Sequence, residues 1–187
     1  ERTGEGQFIE LAQSEAGINL LGPNILEVTA NNQLPPRIGN RSRNAVPHGA
    51  YPCAGNDRWL AIACESDDDW RHLATALGHP DLVEDPRYAT LDARRASEDE
   101  LDALIADWTR ERDTWDAMHY LQSAGVIAGV VEDLEDNVTR DPHLSGHHLV
   151  PLQRDDEQYS FLTHSEPVRV DGHLAPMRRA PQMGEHT

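Results

Sequence analysis

The residues best suited to chemistry are three arginines and a histidine that lie close together in one irregular stretch. Residues 31–48 contain three prolines and four asparagines and show no periodicity, so we expect a long loop there. Arg37, Arg41 and Arg43 lie in this stretch, and His48 ends it. Guanidinium groups bind carboxylates and phosphates through charge-assisted hydrogen bonds, so the patch could hold a small anion. The alternative is a linker whose arginines balance nearby acidic residues.

The absence of lysine and of several catalytic motifs excludes a number of other catalytic sites. All 16 basic residues are arginine, which removes lysine Schiff bases, pyridoxal phosphate attachment and Walker A loops. The sequence has no GxSxG elbow of a serine hydrolase. Cys53 and Cys64 lie in apolar, strand-like segments without a zinc or redox motif. Such cysteines are typical of small buried residues in a reducing, cytoplasmic protein.

Histidines and carboxylates are numerous, but their spacing predicts no metal site. His143 and His147 would share one face of a helix, whereas residues 144–146 disfavour a helix and no carboxylate completes the set. We therefore expect these histidines to be solvated in a loop. The acidic run at residues 65–69 is expected to complement the dipole of a helix rather than to hold calcium.

Charge and hydropathy narrow the range of partners. The chain of 187 residues has a formal net charge of −17. It therefore repels phosphate backbones, and nucleic acid is not an expected partner. No apolar run is long enough to span a bilayer, and residues 1–6 contain no secretory apolar segment. These features predict a soluble, cytoplasmic protein that does not bind membranes.

The hydrophobic pattern predicts the elements that must position the arginine patch. Strands are expected at residues 7–11, 49–53 and 59–64, in a buried segment at 125–131, and at sheet edges between 149 and 170. Helices are expected at residues 14–30 with a kink at Pro23, at 67–77, from a capping box at 97–100 onward, from Asp113 onward, and at 133–140. This order indicates an α/β or mixed α+β fold.

Several segments resemble one enzyme family in order and spacing. They are residues 39–41, 45–53, 57–63, 70–73, 85–90, 124–131, 141–144 and 179–187. Together they resemble the class III coenzyme A transferases, the CaiB/BaiF family. The resemblance covers essentially the whole chain but only the C-terminal half of the family members.

The resemblance implies an architecture and a set of substrates. It implies a large-domain tail, helix and linker at residues 1–44, the small α/β domain at 45–148, and a segment at 149–187 that returns to the large domain. Coenzyme A thioesters and carboxylic acids would be substrates, and no cofactor would be tightly bound. The aspartate that becomes acylated would lie in the N-terminal half, so we expect a homodimer or a complex with that half.

The resemblance also implies where this chain meets the substrate. Residues 44–48 lie where oxalate-handling members have a glycine-rich loop that closes over the acyl site. This chain has no glycine in that segment. We expect seven residues to contribute to substrate binding: Arg41, Arg43, Asn44, Ala45, Val46, Pro47 and His48. No catalytic residue and no metal ligand is expected in this chain.

Three functions stay open at this point. The first is the C-terminal part of an acyl-CoA transferase, inactive without the N-terminal half. The second is an acyl-CoA racemase of the same superfamily, in which Glu65 or Ser66 would take the local supporting position. The third is a non-catalytic binding or dimerisation domain.

Overall fold

The computed structural model describes residues 4–6, 8–153, 160–166, 168–174, 177–181 and 183–185. The chain is a mixed α/β protein, as predicted, with helices and small antiparallel sheets. It divides into two compact units, residues 1–41 and residues 42–187.

The first unit contains two helices where the sequence predicted one. They are α1 (Gln13–Leu20) and α2 (Gly22–Asn31). Pro23 lies in the first turn of α2, where its missing N–H costs nothing, so it begins a new helix instead of kinking one. The strand predicted at residues 7–11 is wrong: residues 8–12 form no strand, and Gln7 lies outside the described residues.

The second unit is built on a three-stranded antiparallel sheet. Its strands are β1 (His48–Pro52), β2 (Trp59–Ala63) and β3 (Ile127–Val131), in the order β1-β2-β3. All three were predicted to within two residues. The β1–β2 hairpin pairs Tyr51 with Leu60, and both side chains are buried. Because β3 is an edge strand, its residues are only partly covered, so the expectation of a buried strand is wrong.

Four helices pack with this sheet around one hydrophobic core. They are α3 (Asp67–Ala76), α4 (Leu91–Ala96), α5 (Glu98–Thr109) and α6 (Thr114–Ser123), with a 3₁₀ turn at Pro80–Val83 between α3 and α4. The largest fully buried apolar side chains are Trp70, Leu60, Ile62, Leu73, Leu101, Ile105 and Leu121. Neither α4 nor the 3₁₀ turn was predicted from the sequence.

The rest of the chain consists of short elements. They are α7 (Leu134–Thr139), α8 (Pro142–His147), β4 (Leu149–Gln153), β5 (Ser160–His164), β6 (Arg169–Val170) and β7 (His173–Leu174). The strands β4, β5 and β6 lie within the range predicted for edge strands, except that Tyr159 lies outside the described residues. The strand β7, which pairs with β6, was not predicted. The loop predicted around His143 is wrong, because Asp141 accepts from the backbone N–H groups of His143 and Leu144 and starts α8.

Helix capping differs from the prediction at one position and agrees at another. Ser97 makes no side-chain capping bond, because it joins α4 directly to α5 and lacks the extended backbone of an N-cap. The acidic run does begin a helix, as expected. Ser66 and Asp69 form a capping box at the start of α3, with Asp67 and Asp68 in its first turn.

Candidate functional site

Residues 43–48 lead into β1, and their backbone is held against the end of β2. The Val46 N–H donates to the Cys64 carbonyl at 3.2 Å, and the Cys64 N–H donates to the Pro47 carbonyl at 2.9 Å. The side chains of Ala45, Val46 and Pro47 are buried. The middle of this segment is therefore part of the core of the second unit.

A buried guanidinium holds the same segment from the other side. Arg94, on α4, is 1% exposed. Its Nε donates to the Val46 carbonyl at 2.9 Å, its Nη1 to the Tyr88 carbonyl at 3.1 Å and its Nη2 to Asp67 Oδ1 at 2.7 Å. The guanidinium also lies 5.8 Å from the centre of the Trp70 ring. One side chain thus joins the segment to α3, to the turn before α4, and to the core.

The next residue of α4 contacts the start of the segment. Arg95 is partly exposed; it pairs with Asp92 at 2.7 Å and also donates to the Arg43 carbonyl. The Asn44 N–H donates to the Ser42 hydroxyl at 3.2 Å. Consecutive arginines on one helix therefore contact the backbone carbonyls of Arg43 and Val46.

The seven predicted binding residues fall into three groups. Arg41 is exposed in the first unit. In the second unit, Arg43 and Asn44 are exposed and His48 is half-buried at the start of β1. The other three, Ala45, Val46 and Pro47, turn their side chains into the core. Within the second unit, the side chains accessible to a ligand are therefore those of Arg43, Asn44 and His48.

Sequence reasoning missed Arg94, although its spacing carries a signal. Leu91, Arg94, Glu98, Leu101 and Ile105 follow one another at steps of three or four residues. Such steps place side chains on one helical face, and all but Leu91 are buried while Leu91 packs against the core. Charged residues within such a stripe, here Arg94 and Glu98, indicate buried polar contacts.

A second buried ionic group lies beyond the hairpin. Asp136 is 1% exposed and accepts two hydrogen bonds from Arg58, at 2.7 Å and 3.0 Å. The Trp115 indole donates to the same carboxylate at 3.3 Å. Burial alone would raise the pKa of Asp136, but hydrogen bonds from Arg58 and Trp115 outweigh it and keep the pKa below its ordinary value. Asp136 also closes a capping box with Asp133 at the start of α7, so this group is structural.

A cleft of about 540 Å³ lies beside α5 and α6. Its charged lining consists of Glu111, Asp113, Asp116 and Arg112. The Trp108 and Tyr120 rings stack with their centres 5.7 Å apart, and the Arg112 guanidinium lies 4.0 Å from the Trp108 ring. With three carboxylates against one guanidinium, the cleft does not suit an anionic substrate.

The cysteines of this unit are poor nucleophiles. Burial raises the pKa of both thiols, and that of Cys64 reaches about 12 because Asp69 adds to the effect of burial. Ser66, one of the two positions relevant to a racemase, uses its hydroxyl oxygen as the N-cap of α3.

Neither a metal-binding cluster nor a membrane-spanning helix occurs among the described residues. No group of three or more histidines, cysteines and carboxylates in this part of the chain could hold a metal ion. None of the described helices has the length and the apolar composition needed to cross a membrane.

Comparison with known proteins decides the family. The chain matches the sequence model of CoA-transferase family III over residues 1–187. The chain belongs to CoA-transferase family III. This confirms the resemblance inferred from the short segments.

Three relatives show how much of a family III protein the chain represents. A probable CoA-transferase of Mycobacterium tuberculosis is 32% identical over 185 residues, covering 97% of this chain and 22% of that protein. A succinyl-CoA–D-citramalate CoA-transferase of Chloroflexus aurantiacus is 33% identical over 76% of this chain and 35% of its own length. A succinyl-CoA:mesaconate CoA-transferase of Haloarcula hispanica is 29% identical, with coverage of 100% and 46%. The chain spans less than half the length of these relatives.

Solved structures agree with the family III fold. A CaiB/BaiF family protein from Brucella suis matches with a TM-score of 0.81 and 29% identity, over 99% of this chain and 47% of that one. A second structure, from Mycobacterium tuberculosis, matches with a TM-score of 0.68 at 18% identity and so supports the fold alone.

Proposed function

We propose that the chain is the C-terminal part of an acyl-CoA transferase that moves coenzyme A between carboxylic acids. The supporting observation is the family III match over residues 1–187, together with relatives that are named for coenzyme A transfer. Acyl-CoA and a carboxylic acid are then substrates, and coenzyme A passes through as a thioester rather than as a resident cofactor. No observation favours the racemase.

The part played by this chain is substrate binding. Arg43, Asn44 and His48 offer a cation, an amide and an imidazole within six consecutive residues at the entrance to β1. A guanidinium suits the carboxylate of an acyl group or acceptor, and a neutral imidazole can hydrogen-bond a carbonyl. Ala45, Val46 and Pro47 contribute by fixing the backbone between these groups. For Arg41, in the first unit, substrate binding stays a prediction from the sequence.

The complete enzyme needs more protein than these 187 residues. The nucleophilic carboxylate belongs to an N-terminal half, and residues 1–44 and 149–187 connect to the large domain while 45–148 form the small one. The assembly is a homodimer or a complex with that half. It works in the cytoplasm, where acyl-CoA thioesters are substrates.

A reconstitution assay tests this function. The 187-residue chain is assayed alone and together with an N-terminal half, using succinyl-CoA as donor and mesaconate or other carboxylic acids as acceptors. Mass spectrometry follows the appearance of the new thioester. We expect exchange only with both halves, because this chain supplies no nucleophile for the thioester carbonyl. Turnover by the chain alone, or none with both halves over a panel of acceptors, would contradict the proposal.

A further inference from the structure

We propose that Arg94 is a positioning residue for acyl-CoA binding: from the core, it holds the backbone of residues 43–48 in the conformation that receives the substrate. The inference rests on the proposed function for its ligand. Its structural part rests only on the contacts of Arg94 and of its neighbour Arg95.

The guanidinium of Arg94 lies in a buried environment in which backbone carbonyls are its main partners. Removing a charged group from water is costly unless it is paired and hydrogen-bonded. At Arg94 each of the three nitrogens has an acceptor, and two of these are backbone carbonyls, that of Val46, 48 residues away in sequence, and that of Tyr88, six residues away. The carboxylate partner, Asp67, is itself 66% exposed. The buried side of the group is therefore satisfied mainly by backbone carbonyls, which is the arrangement needed to fix a chain segment.

The backbone contacts of Arg94 and Arg95 lie close in sequence to the residues proposed to bind the ligand. Arg95 contacts the carbonyl of Arg43, and Arg94 contacts that of Val46. Asn44 lies between these two contacts and is exposed, while His48 follows directly after the Val46–Pro47 pair. Since Val46 is bonded through both its N–H and its carbonyl, its position sets where Asn44 and His48 stand relative to each other.

Order in residues 43–48 affects how tightly a ligand binds. A protein binds its ligand less tightly when only a fraction of its molecules hold the binding-competent conformation. The apparent dissociation constant is then inversely proportional to that fraction. The segment contains no glycine, and these hydrogen bonds hold it together with the burial of residues 45–47. Loss of Arg94 leaves the Val46 and Tyr88 carbonyls without this donor, so the segment should sample other conformations and bind acyl-CoA less well.

The test compares four variants with the wild type. Arg94→Met keeps length and removes all three donors, and Arg94→Lys keeps the charge but cannot reach three acceptors. Arg95→Met removes the outer contact. Arg110→Met is the matched control, because this exposed arginine of the α5 C-terminus pairs with Asp107. Amide hydrogen exchange is measured on the 187-residue chain. KM and kcat for succinyl-CoA are measured on the chain joined to its N-terminal half.

We expect Arg94→Met to speed exchange at the Val46 and Cys64 amides and to raise KM about 10-fold, with kcat changed by less than about twofold. Arg94→Lys and Arg95→Met should give smaller changes in the same direction, and Arg110→Met none. If Arg94→Met does not fold, these two milder variants decide the outcome. Folded variants with faster exchange but unchanged KM would show a purely structural arginine and overturn the proposal, as would unchanged exchange. If the wild-type enzyme neither binds succinyl-CoA nor transfers coenzyme A, the proposed function is refuted instead. The wild-type assay therefore separates failure of the proposed function from failure of the role given to Arg94.

Discussion

At the scale of single residues, Arg43 and His48 combine accessibility with a fixed backbone. Arg95 contacts the carbonyl of Arg43, so truncating the Arg43 side chain removes a cation without removing that backbone contact. A charge-assisted hydrogen bond to a substrate carboxylate contributes about 1.5–3 kcal/mol. We therefore expect Arg43→Ala to raise KM about 10- to 100-fold and to spare kcat, as loss of uniform binding does. His48→Ala, which removes a hydrogen bond to a carbonyl, should raise KM by less.

Steady-state kinetics on the chain joined to its N-terminal half, with folding verified by thermal melting, measures this effect. Arg71→Ala is the matched control, because Arg71 is exposed on α3 and pairs with Asp68. Unchanged KM for both donor and acceptor in well-folded Arg43 and His48 variants would remove this segment from the substrate site.

At the scale of elements, Asp136 joins the start of α7 to the hairpin that carries β2. The variant Asp136→Asn loses the charge that Arg58 pairs with, and we expect it to lower Tm by about 5 °C near neutral pH. Since the folded pKa of Asp136 lies below its ordinary 3.8, this stabilisation is complete above that pH and is lost as the pH falls below it.

Thermal melts from neutral to acidic pH should therefore show the wild type and Asp136→Asn converging in acid. Asp107→Asn, which removes an exposed carboxylate of α5 that pairs with Arg110, should melt like the wild type throughout. A difference between wild type and Asp136→Asn that stayed constant down to the most acidic pH would exclude ionisation of Asp136 as its cause.

Sequence patterns predict some of these elements but not the contacts between them. The β1–β2 hairpin, α3 and β3 were predictable, because their apolar residues alternate or recur at helical spacing and their ends carry turn residues or caps. The contact between Arg94 and Val46 was not, because it joins residues far apart in sequence and depends on how α4 packs. For the same reason the sequence placed residues 45–47 in a binding loop, without showing that their side chains enter the core.

At the scale of the whole molecule, the first unit has much apolar surface and no core. None of its described residues is buried, and the exposed side chains include Leu20 at 84%, Ile25 and Leu26 of α1 and α2. Exposed apolar patches of this kind mark contacts with other protein. In a chain with a net charge of −17, such contacts must also overcome like-charge repulsion.

We therefore expect the isolated chain to self-associate at about 100 µM, and to do so more strongly in about 0.5 M NaCl, where repulsion is screened and apolar contact is not. Light scattering after size exclusion measures the mass against 20.9 kDa for a monomer.

The double variant Leu20→Glu/Leu26→Glu should shift the chain to monomer. Leu134→Glu, at a residue 82% exposed at the start of α7, should not, because it lies outside the first unit. A strictly monomeric wild type whose α1 and α2 amides are nevertheless protected from exchange would show that these helices need no partner.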